Sequence, residues 1–169
     1  MFTSIKPEEL KQNVFSAIGK QWMLITAEKD GKSNTMTASW GGLGVLWGKN
    51  VATIYVRPQR YTYEFVEGSD TFTLSFFPQE KHGVLEYCGA KSGRDVDKAK
   101  ECGLTAAKAA NDAPYWEEAE LVLVCRKLYW QDIDPAHFVD ASIDEKCYGT
   151  HDYHRMYIGE IVEVLKKEL

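Results

Sequence analysis

Cysteine is scarce in this sequence, and its spacing excludes two kinds of protein. The four cysteines, Cys88, Cys102, Cys125 and Cys147, are widely scattered and form no C-x-x-C pair. Structural zinc sites and disulfide frameworks both show paired or closely repeated cysteines. We therefore expect four reduced thiols.

Long apolar runs and an excess of positive charge are also missing. The longest apolar stretches, such as residues 23–27 and 121–125, are far shorter than the roughly 20 residues that span a bilayer. The N-terminus has no apolar signal-peptide core. The formal net charge of −5 gives no global field that would attract nucleic acid or an anionic membrane. We expect a cytoplasmic protein that binds any anion through a local cluster of cations.

What the sequence does contain is a series of strand-like segments separated by turns. About six are expected, near residues 22–28, 34–40, 51–56, 71–77, 119–130 and 156–165. Asp30-Gly31 is typical of a hairpin turn. Because no regular βαβ rhythm is present, these segments indicate an antiparallel barrel or sandwich rather than a doubly wound sheet.

Helices and loops are expected between the strands. The segment PEELKQNV, after Lys6, predicts a short lid-like helix, and residues 60–66 predict a second one. Residues 79–113 are predicted to form short helices divided by glycines. The glycine-rich run 41–48 lacks the G-x-G-x-x-G spacing and is expected to be a connecting loop. The length of 169 residues predicts one domain, 1–169.

Three segments carry residues suited to ligand binding. In Asn34-Thr-Met-Thr-Ala-Ser-Trp-Gly41, small hydroxyl residues allow a flat ligand to approach the backbone and Trp40 offers an aromatic wall, although ordinary strand packing explains them equally well. Arg57-Pro-Gln-Arg-Tyr-Thr62 places two guanidinium groups at a strand-to-helix turn, with a surface salt bridge as the alternative. In Cys88-Gly-Ala-Lys-Ser-Gly-Arg-Asp-Val-Asp-Lys98, cations and Ser92 bracket Gly93 without the order of a P-loop, so the charges also suit a solvated helix cap.

In this order, and with L-S-F-F and His154-Arg-Met-Tyr-Ile-Gly-Glu, these segments resemble the flavin reductase-like family, especially its flavoredoxin-like branch. The resemblance extends from about residue 22 to residue 164. It implies a mainly β, antiparallel split β-barrel of Greek-key type with peripheral short helices. It also implies a homodimer with FMN at the interface. The cofactor-binding residues that it implies are Asn34, Met36, Thr37, Ala38, Ser39, Trp40, Arg57, Pro58, Arg60, Tyr61, Thr62, Cys88, Ser92, Gly93, Arg94, Lys98 and His154.

The function implied by the resemblance is NAD(P)H-dependent flavin reduction, with hydride transfer from the nicotinamide to flavin N5. This chemistry mainly requires that two rings are held stacked, so no catalytic residue is assigned. We hypothesise that Arg57, Arg60, Ser92 and Lys98 include the partners of the FMN phosphate. The residues 37–40 are expected to line the isoalloxazine and the ribityl chain.

Two alternatives stay open at this level. One is an FMN electron carrier that works with a redox protein partner, and the other is a non-catalytic FMN-binding module. No metal site is expected, because His151 and His154 precede an extended strand without further ligands. His154 fits better as a polar group near the flavin, and Cys88 receives no redox role.

Overall fold

Antiparallel strands make up most of the computed structural model, which describes residues 1–168. Their bounds are β1 (Phe2–Ile5), β2 (Met23–Lys29), β3 (Lys32–Ala38), β4 (Gly41–Leu46), β5 (Lys49–Val56), β6 (Thr71–Phe76), β7 (Ala106–Lys108), β8 (Pro114–Trp116), β9 (Leu121–Asp132) and β10 (Arg155–Lys167). The main sheet has the order β3-β2-β6-β9-β10-β5-β4, and β1 pairs with β10. β7 and β8 form a separate pair. The expected mainly β, antiparallel fold is confirmed.

The predicted hairpin joins β2 to β3. Asp30 and Gly31 both have positive φ, 52° and 75°, and Lys29 pairs with Lys32 across the two-residue turn. This is the geometry that a right-twisted hairpin favours. The turn thereby fixes the register that brings Met23 opposite Ala38.

The main sheet separates two apolar cores. Along β9, Leu121, Leu123 and Cys125 contribute to one core, whereas Val122 and Val124 contribute to the other. This alternation follows from the two-residue period of a strand. The fully buried Tyr157 and Phe72 lie in the first core, and Trp116 lies in the second.

The two ends of the sheet approach each other around the first core. Met36 of β3 and Ile54 of β5 belong to the same buried cluster, although several strands separate them in the sheet order. Residues of β3 and Tyr55 of β5 also line one common cavity. The sheet is therefore rolled into an incomplete barrel, and the cavity lies where its ends meet.

Short helices connect the strands. Their bounds are α1 (Val14–Ser16), which continues as a π-helical turn over Ala17–Gln21, α2 (Tyr61–Glu67), α3 (His82–Ala90), α4 (Lys98–Cys102) and α5 (Ala141–Cys147). The side chain of Asp97 accepts a hydrogen bond from the backbone of Lys100 and caps α4. Because α3 and α4 frame residues 91–97, this loop is held at both ends.

Three sequence expectations are corrected. The lid-like helix after Lys6 is only a 3-10 turn over Pro7–Glu9, since the Glu9 side chain accepts from the Lys6 amide and closes it. The expected loop 41–48 is largely strand β4, which pairs with β5 through Gly41–Leu46. Its turn is Trp47-Gly48, where both φ values are positive, so glycine marks a tight hairpin here. The main sheet accordingly contains eight strands, where about six had been expected.

Within residues 1–168, none of the helices has both the length and the apolar character that crossing a bilayer requires.

Candidate functional site

Three cavities that share lining residues form one continuous path. The apolar cavity, of about 790 Å³, lies between α1, the start of β4 and the segment 133–148. The central groove, of about 140 Å³, is lined by residues 36–40, Tyr55, Arg57, Arg60 and His154. The polar cavity, of about 150 Å³, is lined by residues 59–62, 89–92 and Lys98. The path therefore changes from apolar to cationic along its length.

The apolar cavity and the central groove meet at an aromatic wall. Both are lined by Ser39, Trp40, Tyr55 and His154. The Trp40 ring lies 5.3 Å from the His154 ring, and 49% of Trp40 is exposed. A flat ligand can pack against this wall because its aromatic faces are not covered by core residues.

His154 is held neutral at this wall. Its Nδ1 lies 2.7 Å from the Tyr148 hydroxyl, with which it shares a hydrogen bond. Burial, followed by the charge of Arg57, lowers the pKa of His154 to about 4. Burial likewise raises the pKa of Tyr148. At neutral pH the pair offers uncharged polar atoms to a ligand.

Arg57 anchors the chain that follows α5. Its Nη1 lies 2.8 Å from Asp152 Oδ1, and its Nη2 donates to the Cys147 carbonyl at 2.9 Å. Although burial opposes the shift, hydrogen bonds from Gln59 and Thr150 and the Arg57 charge bring the pKa of Asp152 down to about 2. Arg57 lines the central groove with much of its donor capacity already used inside the protein.

Arg60, in contrast, retains donor capacity. Its Nη1 donates to the Gly89 carbonyl at 3.4 Å, whereas its buried Nη2 has no hydrogen-bond partner among residues 1–168. Burial lowers the pKa of Arg60, but a guanidinium stays charged at neutral pH. An unpartnered buried donor costs about 1–3 kcal/mol. Because Arg60 lines both the central groove and the polar cavity, an anion at their junction would pair with its guanidinium.

Lys98 is almost fully buried at the base of the polar cavity. Its Nζ donates to the Thr35 carbonyl at 2.7 Å and to the Cys88 carbonyl at 2.8 Å. Burial lowers the pKa of Lys98 to about 8. Lys98 therefore joins β3, α3 and α4, and one of its three N–H groups remains beyond these two bonds.

The loop 91–97 packs tightly onto β3. A Cβ added to Gly93 would lie 2.0 Å from Asn34 Oδ1, so only glycine fits there. Asn34 Nδ2 in turn donates to Thr62 Oγ1 at 2.8 Å. Arg94 lies over the Tyr61 ring at 4.7 Å and pairs with Glu64 at 2.6 Å. These contacts bring the three sequence segments together.

The structure places most of the predicted site residues on this path. The central groove contains Met36, Thr37, Ala38, Ser39, Trp40, Arg57, Arg60 and His154. The polar cavity contains Arg60, Tyr61, Thr62, Ser92 and Lys98. Asn34, Gly93 and Arg94 instead line a separate polar pocket of about 310 Å³, which Lys98 also lines. Pro58 is exposed in the turn, and the fully buried Cys88 points its Sγ toward Cys102.

Sequence reasoning missed the lining of the apolar cavity. Tyr55, Ile133, Phe138, Ile143 and Tyr148 line it but belong to no recognised motif. A signal existed for Tyr55, because strand alternation points it away from its buried neighbours Ile54 and Val56. The other four depend on the path of the segment 133–148, which no pattern in the sequence predicts.

Comparisons with solved structures show proteins of the same fold. Flavoredoxin from Desulfovibrio vulgaris (Miyazaki F) aligns with a TM-score of 0.70 at 23% identity, covering 97% of this chain and 78% of that chain. An FMN-binding domain of a flavin reductases-like enzyme from Shewanella baltica OS155 aligns with a TM-score of 0.70 at 17% identity. The alignment covers 98% of this chain and 77% of that chain. The NADH:FAD oxidoreductase from Streptomyces globisporus C-1027 aligns with a TM-score of 0.66 at 14% identity. The alignment covers 87% of this chain and 75% of that chain. These likenesses, with a putative flavin reductase with split barrel domain from Shewanella frigidimarina among them, confirm the expected split barrel.

The family itself is established by sequence. A search of curated proteins gives no match. A family model described as flavin reductase like domain, however, matches residues 15–168, which is nearly the whole chain and includes the central groove, the polar cavity and all of the apolar cavity except Val14. The chain belongs to the flavin reductase like domain family.

Proposed function

We propose that this chain binds FMN along the path of the three cavities and reduces it with NAD(P)H. The family supports a flavin-related oxidoreductase, and the order of the cavities supports the orientation of the ligand. FMN is apolar and aromatic at one end and dianionic at the other. The path is apolar at the Trp40 wall and cationic at Arg60. The ring end of FMN therefore suits the Trp40 wall, and its phosphate end suits Arg60.

The observation that carries the proposal is the unpartnered Nη2 of Arg60. Arg60 lines both the central groove and the polar cavity, so a turn of its side chain would bring this buried donor to a phosphate oxygen. A charge-assisted hydrogen bond of this kind contributes on the order of 1.5–3 kcal/mol. Ser92 also lines the polar cavity and offers a hydroxyl. Arg60 and Ser92 would hold the phosphate, and the third donor of Lys98 would support them.

A second feature fits a flat, closely packed ligand. The backbone of residues 36–40 borders the central groove, and Thr37 turns its hydroxyl inward to donate to the Leu85 carbonyl at 2.5 Å. A Cβ on Gly89 would already meet Thr37 at 3.3 Å, so α3 approaches β3 as near as glycine permits. Bound FMN supplies a flavin ring that accepts a hydride at N5. The backbone of residues 36–40 would orient that ring, and the Trp40 wall would exclude water from one side of it.

The apolar cavity leaves room for the electron donor. It adjoins the central groove at Ser39, Trp40, Tyr55 and His154, so a nicotinamide bound there would lie next to the flavin. The neutral His154 is held in place by Tyr148 and offers a polar contact without placing a second positive charge near the ring. Holding two rings face to face is the main requirement of hydride transfer.

We propose that the working form is a homodimer. Trp40 is half-exposed at the cofactor path. The ring centroids of Trp47 and Tyr129 lie 6.1 Å apart, and 57% of Trp47 and 42% of Tyr129 are exposed. Clustered exposed aromatics mark interaction surfaces. A second copy that covers Trp40 would also close the open side of the path. The cytoplasmic location stays a prediction.

The absorbance spectrum of the purified protein loaded with FMN tests the proposal. Anaerobic addition of NADH or NADPH is expected to bleach the flavin bands within seconds, and the Arg60→Ala variant is expected to lose FMN during gel filtration. Bleaching by a reduced ferredoxin but not by either nucleotide would indicate an electron carrier instead. Bound FMN that neither donor reduces would indicate a binding module, and a protein that retains no FMN would refute the proposal.

A further inference from the structure

Cys88 lies in the second apolar core and Cys102 packs against it, and the two form a thiol pair that the cofactor path does not explain. Their Sγ atoms lie 4.0 Å apart, although the two residues belong to different helices, α3 and α4. Both cysteines are reduced in this structure. A disulfide has an S–S distance of about 2 Å, so a small approach of the two side chains would allow the bond.

The position of the pair relative to the path is specific. The cysteines bracket residues 89–101, which contain Gly89, Ser92 and Lys98 of the polar cavity. The carbonyl of Cys88 accepts a hydrogen bond from Lys98 Nζ at 2.8 Å, and the carbonyl of Gly89 accepts from Arg60. A bond between the two sulfurs would therefore act directly on the backbone that positions both cations.

From this geometry we propose that Cys88 and Cys102 are a reversible thiol–disulfide site that controls how tightly the polar cavity holds its ligand. The chemical partner is a peroxide, of which hydrogen peroxide is the simplest. Control of FMN binding rests on the function proposed above, whereas formation of the disulfide does not depend on it.

The oxidation is balanced by one peroxide. Cys102 is partly exposed and reacts first: its thiol loses a proton, the thiolate attacks a peroxide oxygen, the O–O bond breaks, and the departing hydroxide takes up the proton and leaves as water. The Cys88 sulfur then attacks the sulfenic sulfur of Cys102 and the S–O bond breaks. The second hydroxide takes the Cys88 proton as a second water. Two thiols and one H₂O₂ thus give one disulfide and two waters.

Proximity, and not acidity, makes the site selective. Burial, together with the charge of Cys102, raises the pKa of Cys88 to about 12, and burial also raises the pKa of Cys102. Both groups are thiols at neutral pH, so neither is a permanently reactive thiolate. The nearby thiol instead captures the sulfenic acid before it oxidises further, since reaction with a neighbouring thiol is the common fate of this species.

We expect the disulfide to loosen the polar cavity. In the reduced form, Gly89 already packs against Thr37, and Lys98 already bonds to both Thr35 and Cys88. Drawing the two sulfurs together displaces the end of α3 from these contacts. The Arg60–Gly89 bond, which is long at 3.4 Å, is the first that such a displacement would break.

The test is peroxide treatment of the reduced, full-length protein, followed by non-reducing peptide mapping and by measurement of FMN affinity. We expect one Cys88–Cys102 cross-linked peptide, 2 Da lighter than the sum of its parts. We also expect an FMN dissociation constant at least threefold higher than in the reduced protein, and recovery of both by dithiothreitol. The Cys102→Ser variant should lose the cross-link and the change in affinity. The Cys125→Ser and Cys147→Ser variants should keep both.

Two results would overturn the proposal. Peroxide that yields only sulfinic acids, or cross-links through Cys147, would show that the pair is not a disulfide site. A clean Cys88–Cys102 disulfide with unchanged FMN affinity would show that it does not control the cavity. Reduced protein that binds no FMN would refute the proposed function, while the peptide map would still decide whether the disulfide forms.

Discussion

Gly93 and Asn34 are packed so closely that no side chain can be added to the glycine. A Cβ at position 93 would lie 2.0 Å from Asn34 Oδ1 and 3.0 Å from the Tyr61 ring. Asn34 also donates to Thr62, so one buried contact connects β3, α2 and the loop 91–97. Residues that are far apart in sequence thus meet at the wall shared by the polar pockets.

Replacing Gly93 with alanine should displace this loop. Overpacking of this kind costs about 1–3 kcal/mol, because either the buried Asn34 side chain or the loop must move to make room. We expect Gly93→Ala to lower the free energy of unfolding by this amount and to weaken FMN binding at least tenfold. Gly83→Ala is the matched control, because a Cβ at Gly83 meets no atom of residues 1–168 within 4 Å apart from its chain neighbours and the backbone of its own helix. Equal FMN affinity in both variants would contradict the prediction.

Arg60 should contribute more to FMN affinity than a surface arginine does. Removing one charge-assisted hydrogen bond of about 1.5–3 kcal/mol raises a dissociation constant roughly 10- to 100-fold. We expect this rise for Arg60→Ala, measured by flavin fluorescence. Arg126→Ala removes a cation that pairs with Glu160 on the exposed surface, and it should change the affinity less than twofold. A similar small change in both variants would exclude Arg60 as a phosphate ligand.

The sequence allowed the fold and the general location of the site to be predicted, because both depend on local patterns. Strand alternation and the Asp30-Gly31 turn identified the hairpin, and the order of motifs identified the family. The glycine-rich β4 was misread because glycine serves loops and tight hairpins alike. Local sequence does not distinguish these two uses.

The roles of individual cations could not be read from the sequence. Arg57 and Arg60 are three residues apart in one motif, yet Arg57 bonds to Asp152 and Arg60 keeps a free buried donor. The difference arises because the segment 147–152, which is remote in sequence, folds back onto Arg57. Only tertiary structure determines which charge has already been neutralised.

The buried Lys98 should make stability depend on alkaline pH. Its pKa is lowered from 10.5 to about 8, so between these values the unfolded chain binds more protons than the folded chain and stability rises with pH. We expect the free energy of unfolding of the wild type, relative to Lys98→Met, to increase by about 3 kcal/mol from pH 7 to pH 10.5. Urea denaturation at several pH values measures it. A difference that is independent of pH would mean that Lys98 titrates normally.

His154 should act in the opposite pH range. Its pKa is lowered from 6.5 to about 4, so the unfolded chain takes up the proton first as the pH falls. The stabilisation present above pH 6.5 is therefore lost between pH 6.5 and pH 4, by about 3 kcal/mol relative to His154→Gln. A difference in the free energy of unfolding between the two proteins that stays constant from pH 6.5 to pH 4 would show instead that His154 is protonated in the folded state over this range.

The exposed aromatic pair on the barrel should hold two copies of the chain together. Trp47 and Tyr129 contact each other but are half-exposed, and their apolar area contributes to stability only if a partner covers it. We expect sedimentation equilibrium to give twice the chain mass for the wild type and a single chain mass for Trp47→Glu. Val162→Glu introduces the same charge at another exposed apolar residue and should leave the dimer intact. A monomeric wild type that binds FMN with full affinity would refute the dimer while leaving the cofactor site unaffected.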